Sequence, residues 1–381
     1  MARKRTIPRI AVIYTHFPHY RSGVFDALGR NTSYDFQFFY DPGGIDPSIA
    51  NGGFKEGHHK LKAYKWRSFI WQFGAIPLVL RAEFDGFIFL GSPYIVSTWL
   101  AAISAKLCKK PVLFWTHGWL RSESGGKGLA RRVFYRLADC LLVYGVRGKE
   151  LGVSAGFSSN EIYVVGNSLD YNTQRKIRIS LSKTEGPPSG STVKVKTPNY
   201  PYFLCVSRLV GSSNIALAIE AIAKLPPDVG LLVVGEGPER LALERLGSEL
   251  GVRTEFLGAI YDETLLGPLF TNARAVVSPG KIGLLALHSL AYGTPIITHG
   301  DLDWQMPEVE AIEPGVTGKF FERNNVKDLA EVMHSYYLMS QDSPSRVVIR
   351  NAAVKRIESE FTPDAQVTKI VGALDKTLKT H

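Results

Sequence analysis

Two groups of residues in this sequence have the chemistry of a phosphate site. The first is Ser207 and Arg208, which come directly after the apolar, strand-like run Tyr202–Val206. A guanidinium at the carboxyl end of a strand suits bidentate binding of phosphate. If Arg208 is considered alone, an exposed surface arginine is the alternative interpretation.

The second group is a glycine-rich turn, residues 278–284, which follows another strand-like run and opens a helical pattern. Gly280 and Gly283 free backbone N–H groups beside the positive end of that helix, and this arrangement favours an anion. Lys281 adds a cation between the two glycines, although a lysine in an exposed turn can also simply face solvent. Together with Arg208, the turn predicts a diphosphate site.

Two histidines follow strand-like runs in the N-terminal half. His117, with Gly118 beside it, comes after Val112–Trp115, and His16 comes after the first run, shortly before Arg21. An imidazole that titrates near pH 7 can contact a sugar or an acceptor hydroxyl. A lone histidine in a polar loop is more often only hydrogen-bonded, so the structural interpretation of both histidines stays open at this point.

The sequence indicates neither a metal site nor a disulfide framework. Cys108, Cys140 and Cys205 are widely spaced and lie in or beside apolar runs, so we expect a reducing, cytoplasmic environment. Asp301 and Asp303 mimic an Asp-x-Asp metal motif, but solvated loop carboxylates explain them as well. We therefore expect no bound metal.

The elements that must position these groups alternate between strand and helix along the 381 residues. This alternation predicts an α/β protein with two doubly wound domains, because parallel strands need helical crossovers. The expected divisions are a first domain over residues 1–180, a Pro-, Gly- and Ser-rich linker over 181–201, a second domain over 202–361, and a C-terminal helix over 362–381 that is able to pack back on the first domain. Ligands of such sheets bind beyond the carboxyl ends of the strands, so we expect the domains to face each other across a cleft.

The net charge of +10 favours anionic partners. Basic and aromatic residues interleave over residues 60–73, and Lys127, Arg131, Arg132 and Arg136 share a predicted helix with an apolar stripe. Such segments suit an anionic membrane surface, whereas a solvated face above core residues is the alternative. No nucleic-acid-binding module is recognisable, so we expect no nucleic acid partner.

Neither a cleaved signal peptide nor a membrane span is expected. The apolar run at residues 10–14 is shorter than a secretory h-region. The uncharged stretch 86–105 contains Gly91-Ser-Pro93, which predicts a strand, a turn and a helix rather than one continuous span.

An ordered series of motifs runs from residue 202 to about residue 338. Its members are Ser207-Arg-Leu209, Gly235-Glu-Gly-Pro238, Phe256-Leu-Gly258, Ser278-Pro279, Ser289-Leu-Ala-Tyr-Gly-Thr-Pro-Ile-Ile297 and Gly315-Val-Thr-Gly318. This series resembles the second domain of retaining glycosyltransferases of family 4, which have the GT-B fold. The first half matches the family more loosely, through His117-Gly118 and Asn167-Ser-Leu-Asp170.

The resemblance implies a role for each site residue. The implied catalytic residues are His117, Arg208 and Lys281. The implied donor-binding residues are Ser207, Gly235, Gly237, Gly258, Gly280, Ile282, Gly283, Leu284, His288 and Glu308. The implied acceptor-binding residues are His16, Arg21 and Gly118.

The sequence departs from the family at three of its usual charged positions. The two glutamates that the family places around the glycine-rich turn correspond to Gly280 and His288, and a lysine that follows the arginine corresponds to Ser213. Arg208 is retained, so the phosphate anchor is kept. The ribose and sugar contacts must be made by other groups, and Lys281 is the expected replacement for the missing cation.

The resemblance implies a retaining transferase that moves a sugar from a nucleotide-diphosphate sugar to a lipid-linked or polysaccharide acceptor, with no further cofactor. We expect it to be peripheral at the inner face of the cytoplasmic membrane. One alternative is a degenerate, non-catalytic protein that binds a glycan or a partner enzyme, which the loss of both glutamates favours. A second alternative is a nucleotide-sugar epimerase on the same fold, which requires two converging carboxylates.

Overall fold

The computed structural model describes residues 7–44, 57–183, 197–339 and 343–379. The chain divides into two compact units, Met1–Asp170 with Thr362–His381, and Tyr171–Phe361. The helix that follows Asp170 therefore belongs to the second unit, whereas the sequence had placed residues up to 180 in the first. Most of the predicted linker, residues 184–196, lies outside the described residues.

The helices and strands alternate along most of the described chain. In order, the first elements are β1 (Arg9–Ile13), α1 (Ser22–Gly29), β2 (Asp35–Tyr40), β3 (His58–Lys60), β4 (Ala63–Trp66), β5 (Phe69–Gln72), α2 (Ala75–Leu80), β6 (Gly86–Leu90), α3 (Val96–Leu107), β7 (Val112–Thr116), α4 (Gly125–Tyr135), β8 (Cys140–Val143), α5 (Val146–Ser154), β9 (Ile162–Val164) and α6 (Tyr171–Lys183). The later elements are β10 (Tyr202–Val206), α7 (Ile215–Ile222), β11 (Gly230–Val234), α8 (Arg240–Glu249), β12 (Thr254–Gly258), α9 (Glu263–Asn272), β13 (Val276–Ser278), α10 (Leu285–Ala291), β14 (Ile296–His299), β15 (Gly318–Phe321), α11 (Val326–Tyr337), α12 (Pro344–Glu360) and α13 (Pro363–Lys379). Short 3-10 helices cover His19–Arg21, Ser159–Glu161, Gly211–Ser213, Leu302–Trp304 and Pro307–Ala311.

The described strands of the first unit form a parallel sheet in the order β3-β2-β1-β6-β7-β8-β9. Alternate residues of β1 enter two separate cores, Ile10 and Val12 on one face, Ala11 and Ile13 on the other. The sheet is thus covered on both faces, as parallel sheets are. The strand order reverses between β1 and β6, and ligands of open α/β sheets bind at the carboxyl ends of the strands at such a switch point.

The second unit repeats this plan with the order β12-β11-β10-β13-β14-β15, again all parallel. Its switch point lies between β10 and β13. Phe203 and Cys205 of β10 face one core, and Tyr202 and Leu204 face the other. Both sheets confirm the predicted doubly wound α/β architecture.

The C-terminal helix α13 packs within the first unit. Val367, Ile370 and Leu374 enter the same core as β1, and the buried Gln366 donates from Nε2 to the Gly166 carbonyl at 2.6 Å. The apolar burial and the hydrogen bond together fasten the chain end to the first sheet.

An antiparallel hairpin, β4–β5, was not predicted from the sequence. Its tip holds Arg67 at a φ of 53°, and its Ile70 N–H donates to the Tyr94 carbonyl at 2.9 Å. Within the described parts of the chain, none of the helices is both long and apolar enough to cross a membrane.

Candidate functional site

The loop after β10 carries the predicted phosphate anchor at the switch point of the second sheet. The Arg208 side chain is exposed. Its own carbonyl accepts a hydrogen bond from Ser213 Oγ at 2.6 Å. Ser213, which stands where the resemblance implies a lysine, therefore fixes the turn that presents the guanidinium.

Glycines of the neighbouring loop allow that turn to approach closely. A Cβ added at Gly235 would stand 1.8 Å from the Ser207 carbonyl oxygen, and one at Gly237 would stand 2.3 Å from that of Leu209. Gly258 has a φ of 74°, and its carbonyl accepts from the Gly235 N–H at 2.8 Å. These glycines shape the loop around Ser207, and their direct contact with a donor stays a prediction.

The glycine-rich turn after β13 lies against the same loop. A Cβ added at Gly280 would stand 2.1 Å from the Ser212 carbonyl oxygen, so only glycine fits there. Ser212 belongs to the short helix whose Ser213 bonds to Arg208. The structure thus brings the two predicted phosphate-binding segments into contact at the switch point.

Gln305, which the sequence reasoning missed, anchors this turn. Its Oε1 accepts from the Ile282 N–H at 2.8 Å. Its Nε2 donates to Thr298 Oγ1 and to the His299 carbonyl, both at 3.0 Å. No local pattern marks this glutamine, because its partners come from two segments that only the fold brings together.

Lys281 is exposed at the turn. Its ammonium lies 5.9 Å from the centre of the Trp304 ring, and the Arg323 guanidinium lies 4.1 Å from the same centre. Arg323 also pairs with Asp301 at 3.2 Å. Lys281 and Arg323 therefore lie on the same indole ring, and Asp301 balances the charge of Arg323.

Asp301 caps the 3-10 helix Leu302–Trp304, since its Oδ1 accepts from the Asp303 N–H at 3.2 Å. Across the described ranges, no group of three or more His, Cys, Asp or Glu side chains is placed to hold a metal ion. The Asp-x-Asp sequence thus has a structural explanation in this loop.

Two further predicted donor contacts flank the turn. Glu308 is buried, and its Oε2 lies 4.0 Å from the position of a Cβ at Gly283. Leu284 directly precedes α10, which begins at Leu285. A carboxylate therefore faces the glycine-rich turn from the 3-10 helix Pro307–Ala311.

His288 of α10 is engaged inside the second unit. Its Nε2 lies 3.0 Å from Glu263 Oε2, and the same oxygen accepts from Tyr292 Oη at 2.7 Å. Its ring packs against Phe270, with centroids 4.5 Å apart. Burial raises the pKa of Glu263, but the contacts with His288 and Tyr292 outweigh it and lower that pKa overall. Only Nδ1 of His288 is left for the predicted ribose contact.

In the first unit, His117 and Gly118 follow β7 at the carboxyl edge of the sheet. Gly118 has a φ of 67°, and its carbonyl accepts from Arg131 Nη1 at 2.9 Å. Arg131 in turn pairs with Glu123 at 2.8 Å. Arg131 therefore supports the histidine loop, and it is not the free surface cation that the sequence suggested.

The His117 imidazole is reachable from solvent, yet protein surrounds much of it. This desolvation, with the positive charges of Arg21 and Arg131, lowers the pKa of His117 to about 4. The ring is thus neutral at pH 7, and it can accept or donate a hydrogen bond. It stands edge-on to Tyr144, with ring centroids 4.9 Å apart.

Arg21 lies beside the same tyrosine. Its Nη2 donates to Tyr144 Oη, and its guanidinium lies 4.9 Å from the Tyr144 ring centre and 5.6 Å from that of Trp115. His16 is close in sequence, and its Nδ1 lies 3.2 Å from Thr15 Oγ1. Arg21, a predicted acceptor-binding residue, and His117, a predicted catalytic residue, therefore meet around Tyr144.

Comparison with solved structures identifies the fold. HepE of Anabaena, solved in complex with UDP, aligns with a TM-score of 0.69 at 16% identity over 97% of this chain and 100% of its own. The chain has the GT-B fold.

Residues 191–356 match the family model for glycosyl transferases group 1. A GDP-mannose-dependent alpha-(1-6)-phosphatidylinositol dimannoside mannosyltransferase of Mycobacterium tuberculosis is 35% identical over 107 residues, 26% of this chain and 28% of its own. The lipopolysaccharide core biosynthesis glycosyltransferase LpsE of Rhizobium meliloti is 30% identical over 173 residues, 44% of this chain and 46% of its own. The chain thus spans less than half the length of these curated relatives.

Proposed function

We propose that the protein is a retaining glycosyltransferase that moves a sugar from a nucleotide-diphosphate sugar to a lipid-linked or polysaccharide acceptor. The observation that carries the proposal is the contact between the Arg208 loop and the Gly280–Gly283 turn at the switch point of the second sheet. The match to glycosyl transferases group 1 spans both segments. The relatives that act on phosphatidylinositol mannosides and in lipopolysaccharide core biosynthesis support the acceptor class.

In this proposal, the second unit holds the diphosphate. Arg208 and Lys281 offset the negative charge that develops on the leaving diphosphate, while backbone N–H groups of the turn bind its oxygens. Preorganised electrostatic donors of this kind are each worth roughly 2.7–4 kcal/mol in the transition state. The acceptor hydroxyl attacks from the face that the diphosphate leaves, and the anomeric configuration is retained.

The first unit holds the acceptor in this proposal. The neutral imidazole of His117 offers a hydrogen bond to a sugar hydroxyl, and the Arg131–Gly118 hydrogen bond fixes the loop from which it extends. His117→Ala should lower turnover without unfolding the protein, because an exposed side chain contributes little to core packing.

The activity test is incubation with a panel of nucleotide sugars, followed by detection of transfer, donor hydrolysis and epimerised donor. Transfer or slow hydrolysis with retained anomeric configuration supports the proposal. Tight glycan binding without turnover supports the non-catalytic alternative, and epimerised donor supports an epimerase.

Two variants test the diphosphate site directly. Arg208→Ala and Lys281→Ala should each weaken binding of a nucleoside diphosphate by the roughly 1.5–3 kcal/mol typical of a hydrogen bond to a charged group. Arg245→Ala is the matched control, because Arg245 is an exposed arginine of α8 away from both loops. If Lys281→Ala binds the nucleoside diphosphate with unchanged affinity, Lys281 is not part of the site, and the non-catalytic alternative is favoured.

We further propose that the first unit docks on the inner face of the cytoplasmic membrane. Trp66 and Phe69 at the hairpin tip are 59% and 48% exposed, and the exposed Lys65 and Arg67 accompany them. Aromatic and basic side chains together suit an interface with anionic lipids, where each cation near the surface is worth about 1 kcal/mol.

Liposome sedimentation tests the docking surface. Trp66→Ser with Phe69→Ser should release the protein from anionic vesicles, whereas Tyr261→Ser, at an exposed aromatic residue of the second unit, should not. Charge reversal at Arg132 of α4 and at Arg136 directly after it, both exposed, should add to the loss at low salt. Equal binding to neutral and anionic vesicles would contradict the proposal.

A further inference from the structure

Arg21 is a buried cation for which the described residues supply no carboxylate partner. Arg21 is the last residue of the 3-10 helix His19–Arg21, which follows β1, and it is only 8% exposed. In the described part of the chain, none of the carboxylates comes within ion-pair distance of it. Burying a charge without a counterion is costly. A fold keeps such a group where a ligand supplies the opposite charge, or where hydrogen bonds alone compensate.

Among the described residues, one side-chain hydrogen bond of good geometry reaches the Arg21 guanidinium. A guanidinium has five N–H donors, and the bond to Tyr144 Oη uses one of them. The other contacts are with the faces of the Tyr144 and Trp115 rings. These rings hold the guanidinium in place, because cations favour aromatic faces, but they accept no hydrogen bond in the plane of the guanidinium.

A second buried polar group meets Arg21 at the same place. Tyr14, directly after β1, is 2% exposed, and its Oη makes no hydrogen bond of good geometry with any described residue. Burial raises the pKa of Tyr14, and the adjacent Tyr144 hydroxyl raises it further, while Arg21 lowers it. The three groups are therefore neighbours, and leaving a buried hydroxyl unsatisfied costs about 1–3 kcal/mol.

We propose that the acceptor bound by the first unit carries an oxyanion, a carboxylate or a phosphate group, and that Arg21 receives it with the hydroxyls of Tyr14 and Tyr144. This inference rests on the proposed function and specifies its acceptor as acidic. A planar guanidinium and two hydroxyls supply the donors that a carboxylate or phosphate accepts. The other cation near His117, Arg131, is already balanced by Glu123, so Arg21 is the cation that an incoming anion would neutralise.

The test compares binding of glucuronate, glucose 6-phosphate and glucose to the full-length protein by ligand-observed NMR titration. At least one of the two acidic probes should bind with a dissociation constant at least about tenfold lower than that of glucose. This is the difference in affinity that one hydrogen bond to a charged group supplies. Arg21→Gln should abolish that preference. Arg245→Gln removes the same charge from the exposed surface of α8, and it should leave the preference unchanged.

Arg21→Gln could unfold the protein, so Tyr14→Phe serves as a second variant. Tyr14→Phe removes only the hydroxyl that has no hydrogen bond of good geometry. This variant should fold and should lose several-fold in affinity for the acidic probe alone. Preference for glucuronate assigns the oxyanion to an acidic sugar, and preference for glucose 6-phosphate assigns it to a phosphate such as that of a lipid carrier.

Three results would overturn the inference: equal binding of all three probes, equal losses in the Arg21 and Arg245 variants, or full displacement of the acidic probe by UDP, which would assign Arg21 to the donor. The proposed function fails separately. If nucleoside diphosphates do not bind the second unit while acidic probes still bind the first, the anion site stands and the transferase proposal falls.

Discussion

Replacing Gln305 with leucine should release the glycine-rich turn, residues 278–284, which is the donor loop of the proposed function, while the rest of the fold remains. The carboxamide is only 4% exposed and joins the end of β14 to the glycine-rich turn through three hydrogen bonds. Leucine is similar in size but makes none of these bonds. The Ile282 N–H, which is buried, is left without its acceptor.

The expected cost follows from those contacts. An unsatisfied buried N–H costs about 1–3 kcal/mol, and each of the two bonds donated by Nε2 contributes about 1 kcal/mol. Because these bonds share one side chain, they are not fully additive, and we expect Gln305→Leu to lower the free energy of unfolding by about 2–4 kcal/mol. The turn that it releases holds Lys281, so affinity for a nucleoside diphosphate should fall at least about tenfold.

The matched control is Gln366→Leu in α13. Gln366 is 1% exposed, accepts from Ser168 Oγ at 2.7 Å and donates to the Gly166 carbonyl at 2.6 Å. Urea denaturation should show a comparable loss of stability in both variants, and calorimetric titration with UDP and GDP should show a loss of affinity only for Gln305→Leu. Parental nucleotide affinity in Gln305→Leu, or an equal loss in Gln366→Leu, would refute the assignment of Gln305 to the donor loop.

Two further predictions concern histidines. Because the pKa of His117 is about 4 in the folded protein and about 6.5 when unfolded, the unfolded chain binds more protons between these values, so stability should fall as pH drops from 6.5 to 4; His117→Gln should flatten this dependence in urea denaturation, and an unchanged slope would contradict the shift. His288→Ala should cost about 1–3 kcal/mol of stability, since it removes the Glu263 contact and the packing on Phe270. If His288 also contacts ribose, nucleoside and nucleoside diphosphate affinities should fall together in calorimetric titration, whereas unchanged affinities would leave it a packing residue.

The sequence predicted most of the sheet strands because burial imposes a clear pattern on parallel strands. Tyr202–Val206 was predicted with the bounds that the structure has, and the predicted run Val112–Trp115 ends one residue before β7 does. The hairpin β4–β5 was missed because its residues are largely exposed, so no apolar alternation marks it. The strand β3 was also missed, because it is only three residues long and is too short to show an apolar pattern.

Some residues of the candidate site could likewise be predicted from the sequence, whereas others could not. Arg208 and Lys281 follow strands directly, so the chain order alone placed them at the carboxyl edge of a sheet. Gln305 and Arg131 form hydrogen bonds with the backbone of Ile282 and Gly118, which are 23 and 13 residues away in sequence. The residues next to Gln305 and Arg131 form no motif that would have predicted these bonds. The neutral state of His117 likewise depends on Arg21, which the fold brings beside it.

Gly280 and Ser213, which stand where the family resemblance implies a glutamate and a lysine, support one local backbone arrangement. The glycine-rich turn can lie against Ser212 only because residue 280 has no side chain, since a Cβ there would stand 2.1 Å from the Ser212 carbonyl oxygen. The adjacent Ser213 is short enough to turn back and donate to the Arg208 carbonyl at 2.6 Å. A glutamate at position 280 would displace the Ser212–Ser213 backbone and with it the turn that presents Arg208. Glycine at position 280 is therefore part of how this chain presents Arg208, the proposed phosphate anchor, and Gly280→Glu alone should disrupt that turn.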